Sequence, residues 1–390
     1  MKSFLLRLKR FCGFLAGFVF FIAGVFKLLD PVGSGLVMKE YMDFLHLGFM
    51  EGIARPSAAL LAFAETVMGT ALVTGVWRRL TAVVALAFQG VFTLLTLALL
   101  IANPEMDCGC FGEVVHLTHL QTFLKNVVLL LMLVAFAFPF RCLGGPKKHK
   151  YVSFAIVVVS TFVFGLYSWI YIPLVDYTAF KPAAPLQAGS AFGIQDEDRY
   201  EAVFVYEKDG KQEEFSLGDL PDSTWTFIST RTILNDDYAD AGVSLSFYDE
   251  RGDYQDTLAV NGKVMVVSVY DVEVRPAVWE RISHFKTLAE VAGFHTLVLV
   301  SELPPDVEMN DMYLCDYKTL ISMNRSNGGV TYFSDGYLVR KWSARSRPDM
   351  EQLREIYAGD DTEVIIDADS KGRLAFQGFL LYVFAVMLLL

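Results

Sequence analysis

Long apolar runs alternate with short polar segments over the first 172 residues of the chain. Runs of about 18 or more predominantly apolar residues lie near 11–29, 57–77, 80–102, 123–140 and 152–172. An α-helix needs about 20 such residues to cross the hydrocarbon core of a bilayer. The pattern therefore predicts five membrane-spanning helices in this part of the chain.

After residue 172 no apolar run of that length occurs until the C-terminal tail. Proline and small residues are frequent in 173–190, which predicts a linker. The tail Leu374–Leu390 is apolar apart from Gln377 and lies at the short limit for a membrane span. The predicted organisation is a four-helix bundle over 1–150, a fifth membrane helix over 151–172, a linker over 173–190, a soluble domain over 191–372 and a C-terminal membrane helix over 373–390.

The segment 240–357 has the pattern of a soluble α/β domain. Lys263–Tyr270 is a nearly continuous apolar run rich in valine, which is typical of a buried parallel strand. Shorter strand-like stretches precede it at Tyr200–Tyr206, Thr226–Ser229 and Val243–Tyr248. The main elements predicted in order are a strand at Lys263–Tyr270, a helix at Pro276–Ala292, a strand at His295–Ser301, a hairpin of Gly329–Phe333 with Tyr337–Trp342, and a helix at Arg347–Tyr357.

The charges of the loops predict the orientation in the membrane, because lysine and arginine favour the cytoplasmic side. The segment before the first helix and the second and fourth connections are basic and contain no acidic residue, whereas the first and third connections are mostly acidic. The N-terminus is therefore predicted to be cytoplasmic, in a bacterial inner membrane, with 173–372 on the periplasmic side. The basic residues are Lys2, Arg7, Lys9, Arg10, Arg78, Arg79, Arg141, Lys147, Lys148 and Lys150.

The formal net charge of −11 is divided unevenly along the chain. Residues 1–172 carry +6, and residues 173–372 carry −18. An acidic soluble domain repels the phosphate backbone, so nucleic acid is excluded as a partner. The expected partners are the lipid bilayer and an extracytoplasmic protein.

Three polar residues interrupt the predicted membrane helices. Glu65 lies midway along the second helix, and a carboxylate there costs about 2.5–3.5 kcal/mol unless it finds a partner. Lys27 near the end of the first helix and Gln89 in the third are its candidate partners. These residues form either a proton or quinone-head-group site or a buried polar contact that orients two helices. Gly69, one turn beyond Glu65, favours close helix approach.

Cys108 and Cys110 lie in Asp107-Cys-Gly-Cys-Phe-Gly112, in the predicted outer connection before the fourth helix. A disulfide between residues two apart closes a very small ring, and strained, exposed disulfides are the labile ones. The pair is therefore a candidate catalytic redox pair. Against this, the Cys-x-x-Cys spacing of dithiol oxidoreductases is absent and acidic neighbours disfavour a thiolate. A static disulfide or a tight structural loop remains an alternative.

A metal site is a third interpretation of the same loop, because His116 and His119 complete a Cys-x-Cys-x5-His-x2-His pattern. The simpler expectation is that both histidines are solvated on the surface of a helix. Cys12 and Cys142 are predicted to be small apolar fillers on the cytoplasmic side, and Cys315 a core filler or, less simply, an exchange partner for the loop. No metal is therefore assigned.

The order strand, helix, strand, hairpin, helix over 240–357 resembles the thioredoxin-like family. The family's Cys-x-x-Cys opens the helix after the first central strand, where this chain has Glu273-Val-Arg-Pro-Ala277. The family's cis-proline before the hairpin is replaced by Gly328 and Gly329. The resemblance therefore implies a degenerate domain that holds a partner without dithiol–disulfide exchange.

The membrane part, about residues 11–140, resembles the DoxX/MauE family. The matching pieces are Gly24-Val-Phe-Lys-Leu-Leu-Asp-Pro31, Glu65 with Gly69, and Cys108-Gly-Cys-Phe-Gly112. The resemblance implies a four-helix membrane bundle that takes part in thiol–disulfide or quinone-linked electron transfer, often beside or fused to thioredoxin-like proteins. His116 and His119 are not usual in the family, which weakens the metal interpretation.

Together these features predict a multi-pass membrane bundle with an α/β thioredoxin-like domain that acts as a redox module. Cys108 and Cys110 are the candidate catalytic residues, and Glu65, Lys27 and Gln89 are the candidate binding residues for a quinone. The alternative is a non-enzymatic scaffold or assembly factor whose soluble domain binds a partner.

Overall fold

The computed structural model contains two compact units. One comprises Met1–Thr178 with Asp369–Leu390, and the other comprises Ala179–Ala368. The residues that the structure describes are 2–104, 106, 108–115, 117–138, 148–187, 200–208, 211–216, 221, 224–234, 242–305, 307 and 309–389.

Helices form the first unit. A short strand, β1 (Cys110–Glu113), lies between the fourth and fifth of them. The helices are α1 (Lys2–Leu29), α2 (Pro31–Phe44), a 3-10 turn (Gly48–Ile53), α3 (Ala54–Thr74), α4 (Arg78–Ala102), α5 (His119–Ala137), α6 (His149–Ile170) and the C-terminal helix α11 (Asp361–Leu389), which enters the unit at Asp369.

Within the described part of the chain, six helical segments are long and apolar enough to span a bilayer. The segments are Arg7–Leu29, Gly48–Thr74, Arg78–Ala102, His119–Ala137, His149–Ile170 and Asp361–Leu389. The chain is thus a multi-pass membrane protein, as its pattern of apolar runs predicts.

Small residues set the contact between α1 and α3. A Cβ at Gly69 would lie 2.6 Å from the backbone oxygen of Gly17, and one at Gly24 would lie 2.6 Å from the backbone oxygen of Ala62. The two backbones therefore touch where side chains are missing, as in other small-residue helix contacts in membranes. The close approach expected at Gly69 is confirmed, and it brings the polar residue of each helix, Lys27 and Glu65, within reach of the other.

A mixed six-stranded sheet in the order β12-β11-β8-β9-β10-β7 organises the second unit. Strand β8 pairs in parallel with β9, which pairs in parallel with β10, whereas β11 runs antiparallel to β8. The helix between β8 and β9 is a crossover that covers one face, which gives an α/β domain. The strands are β7 (Phe247–Tyr248), β8 (Lys263–Val269), β9 (His295–Val300), β10 (Met312–Cys315), β11 (Gly329–Ser334) and β12 (Tyr337–Trp342).

Both faces of this sheet are covered. Met265 and Val267 of β8 pack with the apolar side of the crossover helix, including Ile282. Val264 and Val266 belong to a second apolar cluster on the other face of the sheet, which includes Leu320. This explains why β8 has the near-continuous apolar sequence of a strand buried on two faces. The helices of the unit are α7 (Thr257–Val260), α8 (Pro276–Ala292), α9 (Tyr317–Met323) and α10 (Met350–Ala358).

The remaining strands form two small sheets. Strands β3, β4 and β5 form an antiparallel sheet in the order β4-β3-β5, and β2 pairs with β6. Their bounds are β2 (Leu186–Gln187), β3 (Tyr200–Lys208), β4 (Lys211–Ser216), β5 (Thr226–Leu234) and β6 (Val243–Ser244).

The structure adds features that the sequence interpretation did not contain. Helix α2 follows directly on α1, with Asp30 as its N-cap and Pro31 at its first position. Within the segment predicted as a linker, Phe180 and Leu186 are buried in the core of the α/β unit. The C-terminal helix begins at Asp361, well before the apolar tail.

Candidate functional site

A cavity of about 320 Å³ lies inside the first unit, between its helices and the cysteine loop, Cys108–Gly112. Its volume is at the lower end of the range of about 300–1,000 Å³ for small-molecule sites. Most of its wall is apolar, with phenylalanines from α1 and α4 and methionines from α2 and the turn after it. Its polar lining consists of Lys27, Ser34, Tyr41, Glu65, Gln89, Thr96, Cys108, Cys110, Lys125 and Asn126.

The five residues predicted as site residues all line this one cavity. Lys27 comes from α1, Glu65 from α3 and Gln89 from α4, while Cys108 and Cys110 come from the loop. These positions are up to 83 residues apart in the sequence and belong to four different segments. The structure places them together, and their chemical roles remain proposals.

Two glycines and one tyrosine shape the cysteine loop. Gly109 and Gly112 have φ values of +55° and +61°, a backbone conformation that residues other than glycine rarely adopt. The Gly112 N–H donates to the carbonyl of Gly109 over 3.2 Å, which closes the bend. The hydroxyl of Tyr41, on α2, donates to the carbonyl of Cys108 over 2.8 Å and attaches the loop to the bundle.

Cys108 contacts a histidine. Its Sγ lies 3.2 Å from Nδ1 of His119, and Nε2 of the same ring lies 2.9 Å from the carbonyl oxygen of Pro104. His119 is the first residue of α5, and a capping box of Thr118 with Gln121 fixes where that helix begins. Cys108 is only 4% exposed, whereas Cys110 is partly exposed, and the two sulfurs are not joined by a disulfide.

Lys27 and Glu65 form a buried ion pair on the wall of the cavity. The Lys27 ammonium donates to both carboxylate oxygens of Glu65, over 2.8 Å and 2.7 Å, and the two side chains are 12% and 6% exposed. Each charge compensates the other, which offsets much of the cost of placing either in an apolar bundle. The backbone oxygen of Lys27 also accepts a hydrogen bond from Ser34 at the start of α2.

Gln89 belongs to a second polar group that lines the same cavity. Its Nε2 donates to the backbone oxygen of Asn126 over 3.1 Å, and the Asn126 amide donates to the hydroxyl of Thr96 over 3.2 Å. These contacts join α4 to α5. An amide nitrogen carries two hydrogens, so the Gln89 side chain has donor capacity beyond this bond.

The lining fits an apolar ring that carries carbonyl groups. The phenylalanine and methionine walls suit the ring, and the Lys27 ammonium and the Gln89 amide, which have more hydrogens than their bonds within the protein use, supply donors. A quinone head group has this chemistry. Among the described residues, no three His, Cys, Asp or Glu side chains are grouped as metal ligands, and His116 lies outside these residues.

The expectation that His119 is solvated is wrong, because both nitrogens of its ring have partners inside the protein. Helix α5 starts at His119 rather than at residue 115. The His119 ring therefore lies at the end of the helix, where it contacts Cys108 and Pro104. Sequence reasoning also missed Tyr41. The available signals were the Asp-Pro start of α2 and the threonine cap before His119.

The other described cysteines, Cys12 and Cys315, are not part of the cavity lining. Cys315 is a buried residue of β10, and burial raises the pKa of its thiol to about 12, so it behaves as a core residue. Cys12 packs beside the bundle core, and Cys142 falls outside the described part of the chain. The helix α8 begins at Pro276 without a cysteine nearby in sequence.

These features define a multi-pass membrane protein with a largely apolar cavity and an attached α/β domain. Residues 3–139 match the family described as methylamine utilisation protein MauE. The N-terminal bundle is therefore MauE-like and is fused to a further domain. That assignment agrees with the resemblance carried by the Lys27, Glu65 and Cys108–Cys110 segments.

One curated protein and a second family model also match this chain. Protein TlpB of Flavobacterium psychrophilum is 26% identical over 149 residues, which are 37% of this chain and 40% of that protein. The match thus spans less than half of the length of that relative. Residues 200–236, which contain strands β3 to β5, match a domain of unknown function, DUF8463. No solved structure matches the chain significantly.

Proposed function

We propose that this protein is a membrane redox module in which Cys108 and Cys110 cycle between dithiol and disulfide. The observation that carries the proposal is that both cysteines line one cavity together with Lys27, Glu65 and Gln89. The buried Lys27 and Glu65 charges cost desolvation free energy that a purely structural bundle could avoid with apolar residues. Ionisable groups beside two thiols on one cavity are typical of functional sites.

The reaction balances with a quinone as the electron-accepting substrate. The two thiols lose two electrons and two protons as the Cys108–Cys110 bond forms, and the quinone takes up both and becomes a quinol. The apolar walls exclude water from the head group, Gln89 and Lys27 donate to its carbonyl oxygens, and Glu65 keeps the Lys27 charge compensated.

The α/β unit recruits an extracytoplasmic protein in this proposal. Its strand order β9-β8-β11-β12, with α8 as a crossover, supports a thioredoxin-like domain. Because α8 lacks a cysteine at its start, the domain binds the partner without exchanging disulfides itself. The loop charges support the accompanying orientation, in which the N-terminus is cytoplasmic and this unit is periplasmic.

The redox state of the two cysteines in cells tests the proposal. Cells are quenched with acid, free thiols are tagged with a maleimide that adds mass, and the peptide carrying Cys108 and Cys110 is quantified. We expect a mixture of dithiol and disulfide that shifts towards dithiol when reductant is added or respiration is blocked. Cys315→Ser is the matched control, because it removes a buried thiol distant in sequence from the loop.

A loop that stays in one redox state under every condition would contradict this function. The scaffold function would then be favoured, since the degenerate start of α8 already points to binding without exchange. In that case the α/β unit would still purify with a specific protein partner, and Cys108→Ser with Cys110→Ser would leave the complex intact.

A further inference from the structure

The contact between Cys108 and His119 distinguishes two sulfurs that the sequence presents as equivalent. In the described part of the loop, the Cys108 sulfur contacts a side chain, with Sγ 3.2 Å from Nδ1 of His119. Cys108 is buried, and Cys110 is partly exposed. The two thiols, only two residues apart, therefore differ in exposure and in contact with the histidine ring.

The partners of the two ring nitrogens determine which nitrogen of His119 carries the hydrogen. The carbonyl oxygen of Pro104 can only accept, so Nε2, at 2.9 Å, must carry a hydrogen. In a neutral imidazole the other nitrogen is then an acceptor. Nδ1 therefore faces the sulfur with its lone pair, and one proton lies between Sγ and Nδ1.

We propose that His119 accepts the proton of Cys108 and makes Cys108 the thiolate of the loop, with Cys110 as its partner sulfur. Pro104 acts as a positioning residue, because its carbonyl selects the tautomer that points Nδ1 at the sulfur. This inference rests on the proposed redox cycle for its purpose, but the proton transfer itself is a property of the reduced protein alone.

The assignment gives an order to disulfide exchange. A partner's thiolate attacks the more exposed sulfur, Cys110; a new S–S bond forms there, and the Cys108–Cys110 bond breaks. Cys108 leaves with the bonding electron pair as a thiolate, and the proton that the partner's thiol lost on ionising is taken up at Nδ1 of His119, between the nitrogen and the sulfur. No oxidant is consumed in this step, since one disulfide replaces another.

Other titratable groups face the same space and enter any pH profile. Tyr41 reaches the loop from α2, and burial raises the pKa of its phenol, so it stays protonated near neutral pH. Lys27 and Glu65 are paired to each other, and Lys125 lies 5.0 Å from the ring of Phe111. Cys110 is the remaining described titratable group on the cavity wall and is replaced by serine in the test.

Thiolate absorbance in the ultraviolet tests the assignment without requiring access to the buried sulfur. The full-length reduced protein in detergent, carrying Cys110→Ser, is titrated between about pH 5 and pH 9, where unpaired thiols ionise only near about 8.5. The Cys108 signal is the difference from the same protein with Cys108→Ser. Two variants are compared: His119→Gln, and His119→Asn, whose amide oxygen accepts a hydrogen bond but no proton. His284→Gln, at an exposed histidine of α8, is the control.

We expect thiolate at Cys108 at about pH 6.5 in the protein with His119 and in the control, and a roughly tenfold smaller signal in both His119 variants. A structural role predicts instead that His119→Asn restores the wild-type profile. Profiles that coincide with and without His119 would overturn the proposal, and so would full rescue by asparagine.

The outcomes separate this inference from the proposed function. A His119-dependent thiolate in a protein whose loop never changes redox state in cells would retain the inference and refute the cycle. A loop that cycles in cells with a His119-independent profile would retain the cycle and refute the inference. If neither His119 variant folds, the wild-type titration still decides, because absence of thiolate at Cys108 below about pH 7 contradicts the proposal.

Discussion

At the scale of single residues, the ion pair of Lys27 and Glu65 links the stability of the bundle to its cavity. Both charges lie in apolar helices and face each other at 2.7 Å, so each exists in the bundle because of the other. The Lys27–Glu65 ion pair therefore joins α1 to α3 and also forms part of the cavity wall. The two interpretations left open by the sequence are compatible in this geometry.

Replacing Lys27 with methionine removes one charge and leaves Glu65 without its ammonium partner. We expect a loss of about 3–5 kcal/mol, because an uncompensated charge remains buried. Lys27→Met combined with Glu65→Leu should recover much of this loss. The measurement is the unfolding midpoint of the purified protein in detergent.

Lys39→Met is the matched control, since Lys39 pairs with Glu51 over 2.9 Å with both side chains almost half exposed. Its expected effect is below about 1 kcal/mol. If Lys27→Met were no more damaging than Lys39→Met, the buried pair would not hold the two helices.

Sequence alone could identify Glu65, Lys27, Gln89, Cys108 and Cys110, because polar or reactive side chains stand out within apolar helices and short loops. His119 and Tyr41 could not be identified in the same way. Their importance depends on which loop each helix end meets, which is a tertiary property. A histidine on the surface of a helix is ordinarily hydrated, so the sequence predicts that His119 is exposed to solvent.

At the scale of elements, the bundle depends on the contact between α1 and α3. Gly69 of α3 meets the backbone of α1, and this contact aligns Lys27 with Glu65. The number and order of the membrane helices were predictable from apolar length. Helix α2 was not, since its short, mixed sequence Pro31–Phe44 lies below the length of a span.

Gly69→Ala should destabilise the protein by about 1–3 kcal/mol, because the added methyl group meets the backbone of α1. Gly90→Ala in α4 is the matched control, as no atom lies within 4 Å of the position of its Cβ. That change should be neutral or stabilise by about 0.5–1 kcal/mol through helix propensity. Equal unfolding midpoints for the two variants would contradict the close packing of α1 on α3.

At the scale of the whole molecule, a MauE-like bundle is joined to an α/β domain of strongly acidic composition. The α/β elements were predictable, because buried strands such as β8 and β9 have unmistakable apolar runs. The starts of β10 and of α11 were not, since their sequences are mixed and tertiary contacts determine them. What the domain binds depends on surface chemistry rather than on these patterns.

The proposed orientation predicts which side of the membrane each part faces. Ser283→Cys, on the exposed side of α8, should react with a membrane-impermeant maleimide in intact spheroplasts. Arg79→Cys, at an exposed residue in the first turn of α4, should react only after permeabilisation. Labelling is read from the mass of each peptide. The opposite pattern would show that the α/β unit is cytoplasmic.

The most direct test of the central claim is an anaerobic titration of the purified, reduced protein with a water-soluble quinone. The account predicts that Cys108 and Cys110 are lost as thiols together, with one quinol formed for each disulfide, and that Cys108→Ser abolishes the reaction while Cys315→Ser does not. Quinol formation that is unchanged by Cys108→Ser, or no oxidation of the loop by the quinone, would contradict it.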